Sequence, residues 1–263
     1  MLRRFAADHV KPHLSDDAWQ KLRRLGGAPS SPPESSRPES SPSSLTELAV
    51  KHKTDKWSTR HRYTGHYERH LGYLRNEQFT LLEIGIGGYA RDGQGGASLR
   101  MWKEFFPNAR IIGLDIEDKS FAREDRIETV VGSQDDQEVL RRIAASAPDL
   151  QVVIDDGSHV NDHILATFNI LFPLLPAGGH YMIEDTQTSY WPRYGGTLDP
   201  DAGGTSNGLA RRLVHDINYE EHTEDGYVPT YVQKNVTGLH VYHNLIFIDK
   251  GINAEGRVKM RRD

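Results

Sequence analysis

Between residues 79 and 183, five short apolar runs alternate with longer segments of helical period, and this rhythm constrains the fold more than any other feature. Phe79 to Ile84, Arg110 to Asp115, Ile127 to Val131, Leu150 to Ile154 and His180 to Ile183 have the length and apolar content of strands. Between them, Ser98 to Phe106, Gln134 to Ala145 and Asn161 to Leu175 read as helices, the first stopped by Pro107-Asn108 and the last by Pro176 and Gly178-Gly179. Repeated βα units of this length predict a mostly parallel sheet covered by helices on both faces. Gly238 to Tyr242 and Leu245 to Lys250 break the pattern, because only His243-Asn244 separates them. Two residues cannot make a crossover, so these runs predict an antiparallel hairpin.

Composition narrows the class further. The 263 residues carry 32 basic against 37 acidic side chains, a net charge of −5, which argues against a broad basic surface and a nucleic-acid partner. There is no cysteine, so a disulfide framework, a thiolate zinc site and a cysteine nucleophile are excluded together. No apolar run approaches the roughly 18 residues of a membrane span, and Asp8, His9 and Lys11 stand where a signal peptide needs apolar residues. The expectation is a soluble, cytoplasmic protein without a membrane partner; a homo-oligomer is compatible with the sequence. Positions 29–44 hold eight serines and five prolines and predict a flexible linker. Before it, residues 1–28 carry Phe5, Val10, Leu14, Trp19, Leu22 and Leu25 at near-helical spacing and predict a short helical segment. Residues 45–263 are left as the main domain.

A parallel sheet closed by an antiparallel hairpin is the outline of the class I methyltransferases, a Rossmann-like α/β fold with a seven-stranded sheet. The first strand runs into Glu83-Ile84-Gly85-Ile86-Gly87-Gly88, whose glycines permit a tight turn and close approach of a ligand to the backbone. Gly85, Gly87 and Ala90 also satisfy a loose dinucleotide pattern, so the glycines alone do not choose between S-adenosylmethionine and a nicotinamide cofactor. Asp115, 30 residues after Gly85, lies beyond the spacing of roughly 20 expected of a dinucleotide fingerprint, the excess falling in the insert 91–96. Asp115 is placed to accept from ribose hydroxyls. Ser133-Gln134, after the third strand, stand where an adenine edge would be read, although Ser133 could equally cap the next helix.

The most informative stretch is Asp155-Asp156-Gly157-Ser158-His159, together with Glu184-Asp185 after the fifth strand. Adjacent strand ends open on one edge of such a sheet, so four carboxylates and an imidazole converge. Like charges at that density call for a cation. Asp156, Glu184 and Asp185 offer three oxygens to a hard divalent ion, magnesium first, while His159 is left as a general base, with His163 a turn away as a competitor.

The sequence resembles the metal- and S-adenosylmethionine-dependent sugar O-methyltransferases that act on macrolide antibiotics. The resemblance runs in order through Lys53-Thr54-Asp55-Lys56-Trp57, Tyr63-Thr64-Gly65-His66-Tyr67-Glu68, Leu82 to Gly88, Ser98-Leu99-Arg100-Met101-Trp102, Asp155 to His159 and Ile183-Glu184-Asp185. It implies a methyltransferase domain over residues 45–263 that transfers a methyl group to a sugar hydroxyl on a glycosylated natural product or saccharide. It further implies magnesium on Asp156, Glu184 and Asp185 and His159 as base. The cofactor would be held by Glu83, Gly85, Gly87, Asp115, Ser133, Gln134 and Asp155, with Tyr63 and His66 at its methionine end. Trp57, Tyr67, Tyr190 and Trp191 are candidates for an aromatic wall against the sugar, and residues 186–235, rich in glycine, for a mobile acceptor flap. The competing readings are a magnesium-dependent catechol-type O-methyltransferase and a nicotinamide-dependent oxidoreductase of a sugar nucleotide. A silent sugar-binding subunit is a third.

Overall fold

The structure, a computed structural model, describes residues 43–59, 61–89 and 93–258. The expected helical segment 1–28, nearly all of the expected linker 29–44, and part of the insert 91–96 lie outside the described residues. The described chain opens with α1 (Leu45–His52), capped by Ser44 in a capping box with Glu47, so the last residue of the expected linker is a helix cap. Then come α2 (Thr64–Leu71), β1 (Thr80–Ile84), α3 (Ala97–Phe105), β2 (Arg110–Asp115) and β3 (Ile127–Val131). After these follow α4 (Gln137–Ser146), β4 (Leu150–Asp155), α5 (Asn161–Leu174), β5 (His180–Glu184), α6 (Ser206–Ile217), α7 (Tyr231–Asn235), β6 (Val236–Tyr242) and β7 (Leu245–Lys250).

The seven strands form one sheet in the order β3-β2-β1-β4-β5-β7-β6. The first five are parallel, and β7 enters antiparallel between β5 and β6. The two-residue connection is the expected hairpin, with Asn244 at φ +63° making the turn. Strand alternation divides the core into two layers. Leu81, Ile111, Val152, Met182 and Phe247 face α1, α2 and α3, whereas Leu82, Ile112, Val153, Tyr181 and Ile246 face α4, α5 and α6. Both layers are fully buried, as a doubly covered sheet requires.

Sequence and structure differ most at helix starts and in the expected flap. The helix expected from Gln134 begins at Gln137, and its cap is Asp136, which accepts from Glu138 N and Val139 N, so Ser133 is not the cap. Residues 186–235, expected to be a mobile acceptor flap, hold regular structure. They contain α6, with Leu209, Ala210 and Leu213 buried against the second layer. Glycine and asparagine at its start hide a helical stripe that Thr205 caps through Gly208 N.

Candidate active site

Parallel register brings the catalytic candidates together. Ile84 pairs with Asp155, and Asp155 with Ile183, so the residues that follow these positions leave the sheet along one edge. Gly85 takes φ +83°, and a Cβ there would stand 2.1 Å from the Asp156 carbonyl oxygen, so only glycine permits the β1 and β4 loops to touch. Gly88 is equally constrained, its Cβ position being 2.1 Å from the Gln94 carbonyl oxygen.

Two cavities meet at this edge. One, of about 420 Å³, is lined by Gly85, Tyr89, Asp115, Ser133, Gln134 and His163 among others. The other, of about 550 Å³, is lined by the glycine loop, Asp55, Asp156 and Asp185. Gly85, Tyr89, Gly157 and His159 line both. Among the described residues, one group of side chains is able to hold a metal ion: Asp156, His159 and Asp185, with one donor atom each, all within 4.8 Å of one another. His159 and Asp185 both have left-handed backbones, at φ +56° and +53°, which is costly for residues with a Cβ and aims both side chains at the same point. Their closest approach is 3.7 Å, from His159 Nε2 to Asp185 Oδ2. Asp185 Oδ1 in turn accepts from the Tyr63 hydroxyl at 2.7 Å, with His61 Nδ1 at 3.4 Å.

Glu184 lies deeper. Its Oε1 accepts from Lys56 Nζ at 2.7 Å and from the Tyr67 hydroxyl at 2.5 Å. The same ammonium donates to Asp156 Oδ2 at 2.9 Å and stands 2.9 Å from Glu83 Oε1, an oxygen that makes no hydrogen bond. Burial alone would lower the Lys56 pKa, but Asp156, Glu184 and Glu83 outweigh it and hold the ammonium well above its ordinary range. Burial pushes Asp156 up to about 6 against the opposing pull of Lys56. Glu184 is raised well above the carboxylate range by burial and then by Asp156. Carboxylates that resist ionisation despite a buried ammonium are short of positive charge, and with their oxygen donors they fit a hard dication such as magnesium.

The expected cofactor residues separate into two groups. Gly85, Gly87 and Asp115 line the cavities, with Asp115 Oδ2 accepting from Ile86 N at 2.8 Å and from the Tyr89 hydroxyl at 2.9 Å. Ser133 lines the smaller cavity and donates to Asp135. Gln134 lines the same cavity, its side chain donating to Asp155 Oδ1 at 3.1 Å and accepting from Ser158 N. Asp155 is buried beneath the loop, where it also accepts from the Tyr181 hydroxyl, and burial raises its pKa. Glu83 is buried too and accepts from Ser98. His66 stacks on Tyr242 with ring centroids 3.7 Å apart, and neither it nor Tyr63 lines either cavity. His163 faces Ser158 and Asp135 and is not part of the Asp156, His159 and Asp185 group. Of the expected aromatic wall, Tyr67 is core, packed edge-on to Trp102 and Phe247, while Trp57, Tyr190 and Trp191 are exposed.

Lys56, Tyr67 and His61 carry roles that residue-by-residue reading does not reveal. The only signal for Lys56 is its place in the Lys53 to Trp57 stretch, because a lone lysine in a polar segment has no periodicity to betray its burial.

The sheet order and the direction of its strands define the class I methyltransferase fold. Residues 87–208 match the rhamnosyl O-methyltransferase/CmcI family. The chain is 51% identical over 216 residues to demethylmacrocin O-methyltransferase of Streptomyces fradiae, covering 81% of this chain and 55% of that protein. It is 49% identical to mycinamicin VI 2''-O-methyltransferase of Micromonospora griseorubida, covering 81% and 54%. Among solved structures it is similar to the MycE methyltransferase of the mycinamycin pathway in complex with Mg and SAH, with a TM-score of 0.81 and 47% identity over 85% of this chain and 58% of that one. A complex of the same enzyme with Mg, SAH and mycinamycin VI gives a TM-score of 0.80. The chain is similar to these O-methyltransferases over most of its length, and it spans about half the length of the curated relatives it matches. Among the described residues, no helix is long and apolar enough to cross a membrane.

Proposed function

We propose that this chain transfers the methyl group of S-adenosylmethionine to a hydroxyl of a sugar on a glycosylated natural product or saccharide. Asp156, Glu184 and Asp185 would hold magnesium, and His159 would be the general base. The observation that carries this reading is the gathering of Asp156, His159 and Asp185 donor atoms within 4.8 Å where the two cavities meet. In this reading Asp115 and Ser133 face the adenosine end of the cofactor, and the backbone of Gly85 to Gly88 the methionine end. Magnesium bound there supplies Lewis acidity toward the acceptor oxygens.

His159 then takes the acceptor hydroxyl proton on an imidazole nitrogen, the side chain suited to that exchange near neutral pH. Asp185, steadied by Tyr63, lies on the imidazole side and stabilises the charge that the proton brings. The oxygen displaces the sulfur in line, so the walls serve chiefly to align the reacting atoms and exclude water. Two further relatives are named for O-methylation of an alpha-L-rhamnosyl tetracenomycin and of L-olivosyl-oleandolide, which supports a sugar acceptor. The test is methyl transfer from labelled S-adenosylmethionine across a panel of macrolide and polyketide glycosides, with and without chelator. Chelator-sensitive labelling of a glycoside is expected. Labelling of a free catechol but no glycoside would overturn the substrate class.

A further inference from the structure

We propose that Lys56 is the positioning residue of the cation site: its buried ammonium fixes the Asp156 and Glu184 carboxylates in the orientation that receives the ion. This rests on the reading of the site given above. The ammonium, 1% exposed, sits among carboxylates from three successive strand ends, Glu83 of β1, Asp156 after β4 and Glu184 of β5. Proton transfer and methyl transfer leave it unused. Its own backbone is held from both sides: Lys56 N donates to Thr54 Oγ1, and Lys56 O accepts from Tyr63 N at 3.0 Å. That second bond places Lys56 and Tyr63 on one turn. One reaches Asp156 and Glu184, the other Asp185, so a single segment before β1 orders all three expected ligands.

Each carboxylate gives one oxygen to the ammonium, Oδ2 of Asp156 and Oε1 of Glu184, which fixes the plane in which the second oxygen is offered. A cation so close to the ligands also repels an incoming dication, and the two effects have opposite signs. Lysine acting only as a counter-charge weakens magnesium binding, and its removal tightens it. Lysine acting by position strengthens magnesium binding, and its removal loosens it.

The test is calorimetric titration of magnesium into the full-length chain loaded with S-adenosylhomocysteine, for wild type, Lys56→Gln, and the double variant Lys56→Gln with Glu83→Gln. The double variant removes one positive and one negative charge, so the net charge of the cluster is unchanged and one fewer carboxylate is left buried without its ammonium than in Lys56→Gln. The expected result is magnesium affinity at least about tenfold weaker in both variants, with a melting temperature in the absence of metal that stays near wild type in the double variant. Affinity equal to or tighter than wild type in the double variant would overturn the positioning role. If Lys56→Gln alone proves too unstable to purify, the double variant decides. A wild-type chain that takes up no magnesium would overturn the metal-site reading itself and this role with it.

Discussion

In the proposed reaction the chemistry turns on His159. It has a left-handed backbone and lines both cavities. Replacing His159 by alanine is expected to lower kcat by about 10²- to 10⁴-fold, with affinity for S-adenosylhomocysteine nearly unchanged; a variant as fast as wild type would dismiss it as the base. His159 and Asp185 were visible in the sequence because acidic pairs after successive strands are rare enough to stand out. What the sequence concealed was how the carboxylates are shared. Asp155 precedes Asp156 by one residue, yet strand alternation turns it inward to Gln134 and Tyr181 while its neighbour faces the cavity. Glu184 and Glu83 are bound to a lysine that lies far from both in sequence, and no local pattern announces such a contact.

At the scale of elements, the loops after β1, β4 and β5 form the candidate site, and α5 ties them to the lobe that follows. Asn161, the first residue of α5 and fully buried, donates through Nδ2 to Thr188 O at 3.2 Å and Tyr194 O at 2.9 Å, and its Oδ1 accepts from Ser206 N at 2.8 Å. Asn161→Ala leaves Tyr194 O and Ser206 N without these partners, each worth roughly 1–3 kcal/mol when unsatisfied, while Thr188 O keeps its bond from Trp191 N. It is expected to raise the acceptor KM several-fold while cofactor affinity holds, as measured by steady-state kinetics against each substrate; equal effects on both would count against a role confined to this lobe. Gly85→Ala forces a Cβ against the Asp156 carbonyl at a positive φ, so loss of S-adenosylhomocysteine binding and a lowered melting temperature are expected by calorimetry. The strands were legible almost to the residue because their apolar runs are short and sharply bounded. Helix α6 was not: its buried face of Leu209, Ala210 and Leu213 is short, and glycines at 195, 196, 203 and 204 upstream read as loop.

For the whole molecule, the hairpin and α2 meet over a group of histidines whose protonation couples to stability. His70 stacks near His240, donor or acceptor to Tyr242, and Asp249 is shared between His180 and His240. Burial first, then His240, lowers the His70 pKa; burial and Arg69 lower that of His66. A histidine with a lowered folded-state pKa takes up its proton more readily in the unfolded chain, so its stabilising effect is full above the unfolded value and is lost as pH falls through about 6.5. The Asp249 carboxyl, held low by His180 and His240 against the opposing effect of burial, adds a further loss only as pH falls below about 4. The melting temperature is therefore expected to drop between about pH 7.5 and about pH 5.5, and His70→Gln to flatten that drop. A flat wild-type profile over that range would contradict the assignment. The central claim is that the acidic strand ends gather one dication beside the cofactor loop. Its most direct test is an anomalous difference map from crystals grown with S-adenosylhomocysteine and manganese. The account predicts a single strong peak among Asp156, Glu184 and Asp185, beside His159; a peak elsewhere, or none in a map that shows the cofactor product in place, would contradict it.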